Sequence, residues 1–326
     1  MQYIKNESHD PRYNLALEEY VLKNLEPEDR FIILWQNEPS VIIGRFQNTV
    51  EEINAEFINK HNINVVRRMT GGGAVYHDLG NLNFSFIERT ACENIEFRKY
   101  NERLIKALAK LGVTAEHNSR NDITIEGRKF SGNAQYIYKG KVLHHGTILF
   151  AANLEDVHAA LNVNPEKFSS KAVKSVRSRV TNIRDYLAKD ISVREFKDIL
   201  LNTLFDHQQL QEYQLSPDDL QNITGLMKEK YSSWAWNYGH SPAFNYHKAE
   251  RFSCGKVDVR LEIEKGLIKD AKIFGDFFSS GDITELENCL VGQKYEKDIL
   301  ITELCEIDLS KFFGPLTLEE FMTCLF

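Results

Sequence analysis

The stretch RRMTGGGAVYHD, residues 67–78, sets two adjacent arginines before three adjacent glycines. Glycine has no Cβ, so a ligand can approach its backbone closely and φ can be positive. Consecutive N–H groups in such a loop can converge on an anion. An arginine at its mouth adds a bidentate fork suited to phosphate or carboxylate. Side chains alternate along a strand, so Arg67 and Arg68 point to opposite faces and only one of them faces a ligand. The chemistry suggested is anion capture; the plainer alternative is a tight turn flanked by solvated arginines. The spacing is neither that of the P-loop nor that of G-x-G-x-x-G.

Three further segments could join such a site. In SRNDITIEGRKFSGNAQ (119–135), Arg120, Asn121 and Asp122 form a polar cluster before a strand, and Lys129 precedes Ser131-Gly132. A lysine is a compact point charge that can steady an anionic intermediate, or simply an exposed strand residue. SSKAVKSVRSRVTNI (169–183) is basic, rich in serine and without a 3.6 or 2.0 period. It reads either as a mobile loop that folds over a phosphate-bearing ligand or as a solvated basic loop. In HHGT (144–147) the two histidines point opposite ways on a strand, which suits one buried, hydrogen-bonded histidine better than a pair of metal ligands.

The elements that would position these residues are legible in the periodicity. DPRYNLALEEYVLKNL reads as a helix with Asp10 as its cap and Pro11 in its first turn. Residues 31–37 and 40–46 read as neighbouring strands, 51–62 as a helix and 63–69 as a strand. In GNLNFSFIE, Leu82, Phe84 and Phe86 point one way, Asn83 and Ser85 the other. Helices are expected at 101–113, 153–161 and 192–205, the last opened by a Ser192/Glu195 capping box, with another from Ser216-Pro217 to about Tyr231. Three strand-like runs, DITIE, KFSGNAQYIY and KVLHHGTILF, are separated by turns at Gly127 and at Lys139-Gly140. Residues 234–252 are aromatic, polar and irregular, and two alternating strands follow at 255–278. The mixed order points to an α+β fold with antiparallel pairs. The expected division is 1–245 as one domain, 246–252 as a linker and 253–326 as a small α+β accessory domain.

With 326 residues and 42% hydrophobic content the chain can bury one large core or two. A net charge of −7 gives no general attraction to nucleic acid or to an anionic membrane, so any anion site must be local. No apolar run approaches the length of a transmembrane helix. Five cysteines without a C-x-x-C pair suit a reduced, cytoplasmic protein.

Taken in order, RRMTGGGAVYHDLGNLNFSF, RNDITIEGRKFSGNAQ, HHGT and KSVRSRVTN closely resemble the lipoate–protein ligase A family. NLALEEY, SVIIGRFQNTVEE (40–52) and WAWNYGHSPAF (234–244) extend the likeness over nearly the whole chain. The resemblance implies a biotin/lipoate ligase-like catalytic domain of largely antiparallel sheets flanked by helices. It implies that lipoate and ATP are joined as lipoyl-adenylate, and that the lipoyl group passes to a lysine of carrier domains in 2-oxo acid dehydrogenase complexes or of the glycine cleavage H protein. By matching motifs, Arg68, Gly73, Ala74, Val75 and Tyr76 would contact ATP or the adenylate, and Lys129 both the lipoyl carbonyl and the α-phosphate. Ser178, Arg179 and Val180 would belong to the adenylate-binding loop, and Gly72, Arg45 and His145 to the lipoate site. Mg²⁺ would accompany ATP, with Asp122 a candidate adenylate contact and metal ligand, directly or through water.

Rival readings follow from the same scaffold. A cysteine-dependent octanoyl or lipoyl acyltransferase would need an activated thiolate, and Cys92 is the only cysteine before residue 250. Biotin ligation lacks its glycine- and arginine-rich loop here. A non-catalytic lipoate- or nucleotide-binding regulator would have no need of Arg68, the glycines and Lys129 together.

Overall fold

The structure is a computed structural model that describes residues 1–27, 30–91, 94–118, 121–161, 180–205, 210–238 and 244–326. Its thirteen described strands are β1 (Gln2–Tyr3), β2 (Arg30–Trp35), β3 (Ser40–Ile43), β4 (Asn64–Arg67), β5 (Val75–His77), β6 (Asn81–Arg89), β7 (Glu116–His117), β8 (Asp122–Ile125), β9 (Arg128–Tyr138), β10 (Lys141–Leu149), β11 (Tyr246–Phe252), β12 (Gly255–Glu264) and β13 (Leu267–Gly275). They form a seven-stranded sheet in the order β1-β2-β6-β10-β9-β8-β7 and two three-stranded sheets, β4-β3-β5 and β11-β12-β13. Only β1/β2 and β3/β4 pair in parallel. The fold is α+β, as expected.

Strand alternation separates the core from the site. Leu82, Phe84 and Phe86 of β6 face the helices Arg98–Lys110 and Val193–Leu204 in one apolar layer. Asn83 and Ser85, between them, face the opposite side, where helix α1 (Pro11–Asn24) and the β4-β3-β5 sheet pack. Asp10 caps α1 by accepting from the Arg12 N–H at 2.8 Å. The β8–β9 hairpin turns at Glu126 and Gly127, both with positive φ, as a two-residue turn requires.

Three expectations change. The helix expected over 51–62 is two short helices, Thr49–Glu52 and Ala55–His61. Ile53 bridges to Leu161, and Asn54 caps the second helix by accepting from the Phe57 N–H. The helix that starts at Pro217 passes into a π-helical turn, Met227–Tyr231. The stretch 246–252, expected as a linker, is β11, paired along its whole length with β12. Its alternation is weak because Lys248 and Glu250 share a face with Tyr246 and Phe252. The C-terminal core takes in one residue from the larger part, Phe46, which stacks on Phe277 with ring centroids 4.9 Å apart.

Candidate active site

A pocket opens between the seven-stranded sheet and the β4-β3-β5 sheet. Leu15, Trp35, Ile42 and Val75 give it apolar walls; Arg68, Lys129, His77, Asn83 and His145 give it polar ones.

The glycine loop is built around Arg68. Its Nε donates to Thr70 Oγ1 at 2.9 Å, Nη1 to the Ile42 carbonyl at 3.1 Å, and Nη2 to the carbonyls of Gly71 and Gly73 at 2.7 and 2.8 Å. Four of its five N–H groups are therefore engaged, and one on Nη1 is left for a ligand. Burial lowers its pKa to about 10, so the buried guanidinium stays charged at neutral pH. Arg67 points to the other face, as alternation requires, but is not solvated: it donates to the carbonyls of Gly44, Gln47 and Trp236 and to Thr49. The loop is thus an arginine-held cradle, which excludes the solvated-turn alternative.

The three glycines have different reasons. A Cβ on Gly71 would come within 2.4 Å of the Phe277 carbonyl oxygen. Gly72 has φ +90°, and a Cβ there would meet the Phe278 ring at 2.8 Å and Arg68 Nη2 at 3.1 Å. The Gly72 N–H donates to the Phe277 carbonyl at 3.2 Å, so it is not open to an anion. A Cβ on Gly73 would meet nothing within 4 Å, and among the described residues its N–H has no backbone partner. Gly73 is where a ligand can approach.

Lys129 lies at the other side of the pocket. Its Nζ is 2.7 Å from Asp122 Oδ1, with both side chains partly exposed. A register shift between Ile123 and Thr124 places Lys129 and Ser131 opposite consecutive β8 residues. Such a bulge re-aims side chains next to a site. Gly132 leaves room for the ammonium, since a Cβ there would come within 3.0 Å of Nζ. Val180 bridges to Lys129, and the Thr181 N–H donates to the Lys129 carbonyl at 2.9 Å. The end of the basic segment therefore runs beside this lysine. Ser178 and Arg179 lie outside the described residues.

His145 is buried between two partners. Nδ1 is 2.9 Å from Glu18 Oε1, and Nε2 is 2.8 Å from Thr70 Oγ1. Since Thr70 Oγ1 also accepts from Arg68, one chain of hydrogen bonds runs Glu18–His145–Thr70–Arg68. His144 points to the other face and stacks on Tyr100 at 4.6 Å. Both histidines are buried and hydrogen-bonded, on opposite faces, so they form no metal pair.

Two expected residues lie elsewhere. Arg45 is outside the pocket, against the rings of Phe46, Tyr136 and Trp236 and 3.7 Å from Asp282 of the C-terminal part. Tyr76 alternates away from the pocket into the core around Val41, Ile43 and Ile58. Ala74 and Val75 do line the pocket. Asp122 is first of all the counter-ion of Lys129. Among the described residues no three His, Cys, Asp or Glu side chains gather as a metal site.

Sequence reading missed Glu18, Trp35, Thr70, His77, Asn83 and Phe278. Glu18 had a usable signal: it stands three residues after Leu15 on the apolar face of α1, where a carboxylate needs a buried partner. Phe278 had none, because its place follows from the docking of the C-terminal part. There it meets Phe97 with ring centroids 5.0 Å apart and closes one wall of the pocket.

Comparison with known proteins gives the family of the chain. Residues 10–205 match the lipoyl protein ligase A/B catalytic domain, and residues 241–325 the bacterial lipoate protein ligase C-terminus. The chain is 46% identical to lipoate-protein ligase LplJ of Bacillus subtilis strain 168, over 100% of each chain. A lipoate-protein ligase A solved with bound ATP is 31% identical, with TM-score 0.65, over 73% of this chain and 98% of that one. P. falciparum LipL1, solved with lipoate, shares the fold with TM-score 0.79 at 24% identity, over 94% of each chain. Two family models that together span most of the chain, and a relative matched over its whole length, place this protein in the lipoate–protein ligase family.

Proposed function

We propose that the protein activates free lipoate with ATP to lipoyl-AMP, releasing pyrophosphate, and then transfers the lipoyl group to a lysine of a lipoyl carrier domain. The carriers would be those of 2-oxo acid dehydrogenase complexes or the glycine cleavage H protein, met in the cytoplasm. The observation behind this reading is the pairing of Lys129 with the Gly73 backbone across one apolar pocket. Carboxylate attack on the α-phosphate brings two anions together, and preorganised charge is what that transition state needs. Lys129 already carries a carboxylate partner in Asp122, so an arriving phosphate or carboxylate exchanges one anion for another at the same ammonium. Arg68 adds positive charge from beneath the loop and offers its remaining Nη1 donor. Thr70 and His145 hold that arginine in place. Among the described residues no side chains gather as a resident metal site. Mg²⁺ would come with ATP as the Mg·ATP substrate, with Asp122 near enough to Lys129 to meet it directly or through water. The second step needs only the carrier's lysine as nucleophile, brought to an already activated acyl group.

No described cysteine lines the pocket, and Cys92, the cysteine that a thioester route would use, lies outside the described residues. We also assign the catalytic part to the chain before Tyr246 and the accessory part to β11 onwards. The deciding experiment is lipoate-dependent exchange of labelled pyrophosphate into ATP by the purified protein without carrier. Exchange supports the reading. Its absence, with acyl transfer between carriers, would replace it by the thioester alternative.

A further inference from the structure

Three buried polar atoms of the pocket's lining have no partner among the described residues; one, Asn133 Oδ1, is on β9, on the side of Lys129. His77 Nε2 and Asn83 Nδ2 lack a hydrogen-bonding neighbour, although the residues are only 3% and 1% exposed. Both residues line the pocket.

The proton on His77 can be placed by following a chain of amides. Asn14 Nδ2 donates to the carbonyls of Ser8 and Gln36 at 3.1 and 2.9 Å, which can only accept, so the orientation of this amide is fixed. The same group donates to Asn37 Oδ1 at 2.8 Å. That leaves Asn37 Nδ2 as donor to His77 Nδ1 at 3.0 Å. A ring nitrogen that accepts carries no proton, so the neutral imidazole bears its hydrogen on Nε2. Burial, then the nearby Arg68 and His145, lower the His77 pKa to about 3 and keep the ring neutral. The Asn83 amide shares one hydrogen bond with the Asn81 amide at 2.8 Å, which leaves the other end of the Asn83 amide unmet. The pocket therefore ends in an unmet N–H donor on His77 and an unmet amide end on Asn83.

Their position tells which part of a ligand they meet. Asn83 pairs with Trp35 across β2 and β6, and the His77 ring lies 6.1 Å from the Trp35 ring. Lys129 is on β9, in the order β2-β6-β10-β9. Asn83, on β6, is two strand spacings from β9, about 10 Å, and Trp35, on β2, is three, about 14 Å, each less the reach of the lysine side chain. An extended lipoyl chain spans roughly 9 Å from carboxyl to ring sulfur, at about 1.2 Å per bond. With the carboxylate at Lys129, the dithiolane ring arrives beside Trp35, His77 and Asn83.

We propose that His77 and Asn83, the latter with its amide Nδ2 turned into the pocket, are specificity-determining residues that donate to the dithiolane sulfurs and disfavour an acyl chain ending in a methyl group. The inference rests on the lipoate-activating reading above and goes further by naming how the ring is told from plain hydrocarbon. Sulfur is a weak acceptor, so the direct gain is small. The larger effect is on the competitor: a methyl end buries both donors unpaired, and a site built for hydrogen bonding rejects the analogue that lacks them.

The experiment is calorimetric binding of lipoate and of octanoate to the full-length protein, wild type against Asn83→Leu and His77→Phe, with thermal unfolding as a folding control. Wild type should prefer lipoate. Asn83→Leu should narrow the preference by about fivefold, with lipoate weakened and octanoate strengthened. His77→Phe should change it in the same sense; if that variant does not fold, Asn83→Leu decides alone. An unchanged lipoate-to-octanoate ratio in folded Asn83→Leu overturns the proposal. So does a wild type that binds both acids equally, an outcome that leaves lipoate activation standing. A wild type that binds neither acid removes both.

Discussion

Lys129 and Arg68 are both cations beside the glycine loop, yet their surroundings give them different work. Lys129 is partly exposed and holds one carboxylate, so its charge is free to be exchanged onto a substrate. Lys129→Ala should lower lipoate-dependent pyrophosphate release by on the order of 10²-fold with little change in melting temperature, the usual scale for one preorganised donor. Lys129→Arg should also be impaired, since a planar fork does not replace a compact ammonium over Gly132. Near wild-type rates in a folded Lys129→Ala protein would end this assignment. Arg68 is buried and fastened to three backbone carbonyls. Arg68→Lys keeps the charge but loses the fork that ties Gly71 to Gly73, so it should lower both the rate, by tenfold or more, and the melting temperature, by a few degrees. Comparing pyrophosphate release with unfolding separates the two: loss of rate at unchanged stability would make Arg68 a ligand contact rather than a loop clamp. The glycine loop stood out in the sequence by its residue types, whereas Lys129 was marked only by the family resemblance. The division of labour was not legible, because it depends on which donors the backbone already occupies. Arg45 entered only as a lipoate-site residue implied by the family resemblance, and its sequence context carries no sign of the three aromatic rings that the fold sets around it.

Among the elements, the long alternating strands and capped helices were legible. Their signals are local, as in the Ser192/Glu195 capping box, which forms with both of its hydrogen bonds. The β8–β9 bulge, β5 and the strand character of 246–252 were not, because each is decided by a partner strand. The glycine loop shows how far such non-local decisions reach. It touches the pocket on one side and the Phe277–Phe278 segment on the other. Gly72→Ala should therefore act twice. A left-handed φ costs an alanine roughly 1–2 kcal/mol, and the new methyl pushes on the Phe278 ring. The Gly72→Ala/Phe278→Ala double variant should recover the steric part of the loss and leave the conformational part. A double-mutant cycle on unfolding free energy measures that coupling. Additive losses would show that Phe278 does not press on the loop in solution.

Across the whole molecule, ionisable groups are buried in sets, and each set titrates in its own window. Glu19, Glu88 and Asp258 are disfavoured as anions by burial. Yet Lys230 and Lys23 beside Glu19, Lys99 and Arg103 beside Glu88, and Arg260 and Lys256 beside Asp258 outweigh it and hold each carboxyl below its ordinary value. Their contribution is present above the unfolded pKa, near 4.5 for glutamate, and is lost as the pH falls through the lower folded value. The buried histidines act earlier. Burial, then His145 and Arg103, lower His144 well below its ordinary 6.5, and His77 falls to about 3. Below pH 6.5 the unfolded chain takes up protons at these two positions that the folded chain refuses. Stability should therefore fall from pH 6.5 downwards, before any carboxylate is lost, at up to ~1.4 kcal/mol per pH unit for each histidine. His144 can be tested without touching the pocket, because it packs on the opposite face among Phe84, Phe86, Phe97 and Tyr100. His144→Phe keeps a ring in that stack and removes the titration. Its melting temperature, followed from pH 8 to pH 4.5, should decline less steeply below 6.5 than that of the wild type. Parallel curves would mean that His144 takes up its proton in the folded state, which the stacked, buried ring of this structure does not allow.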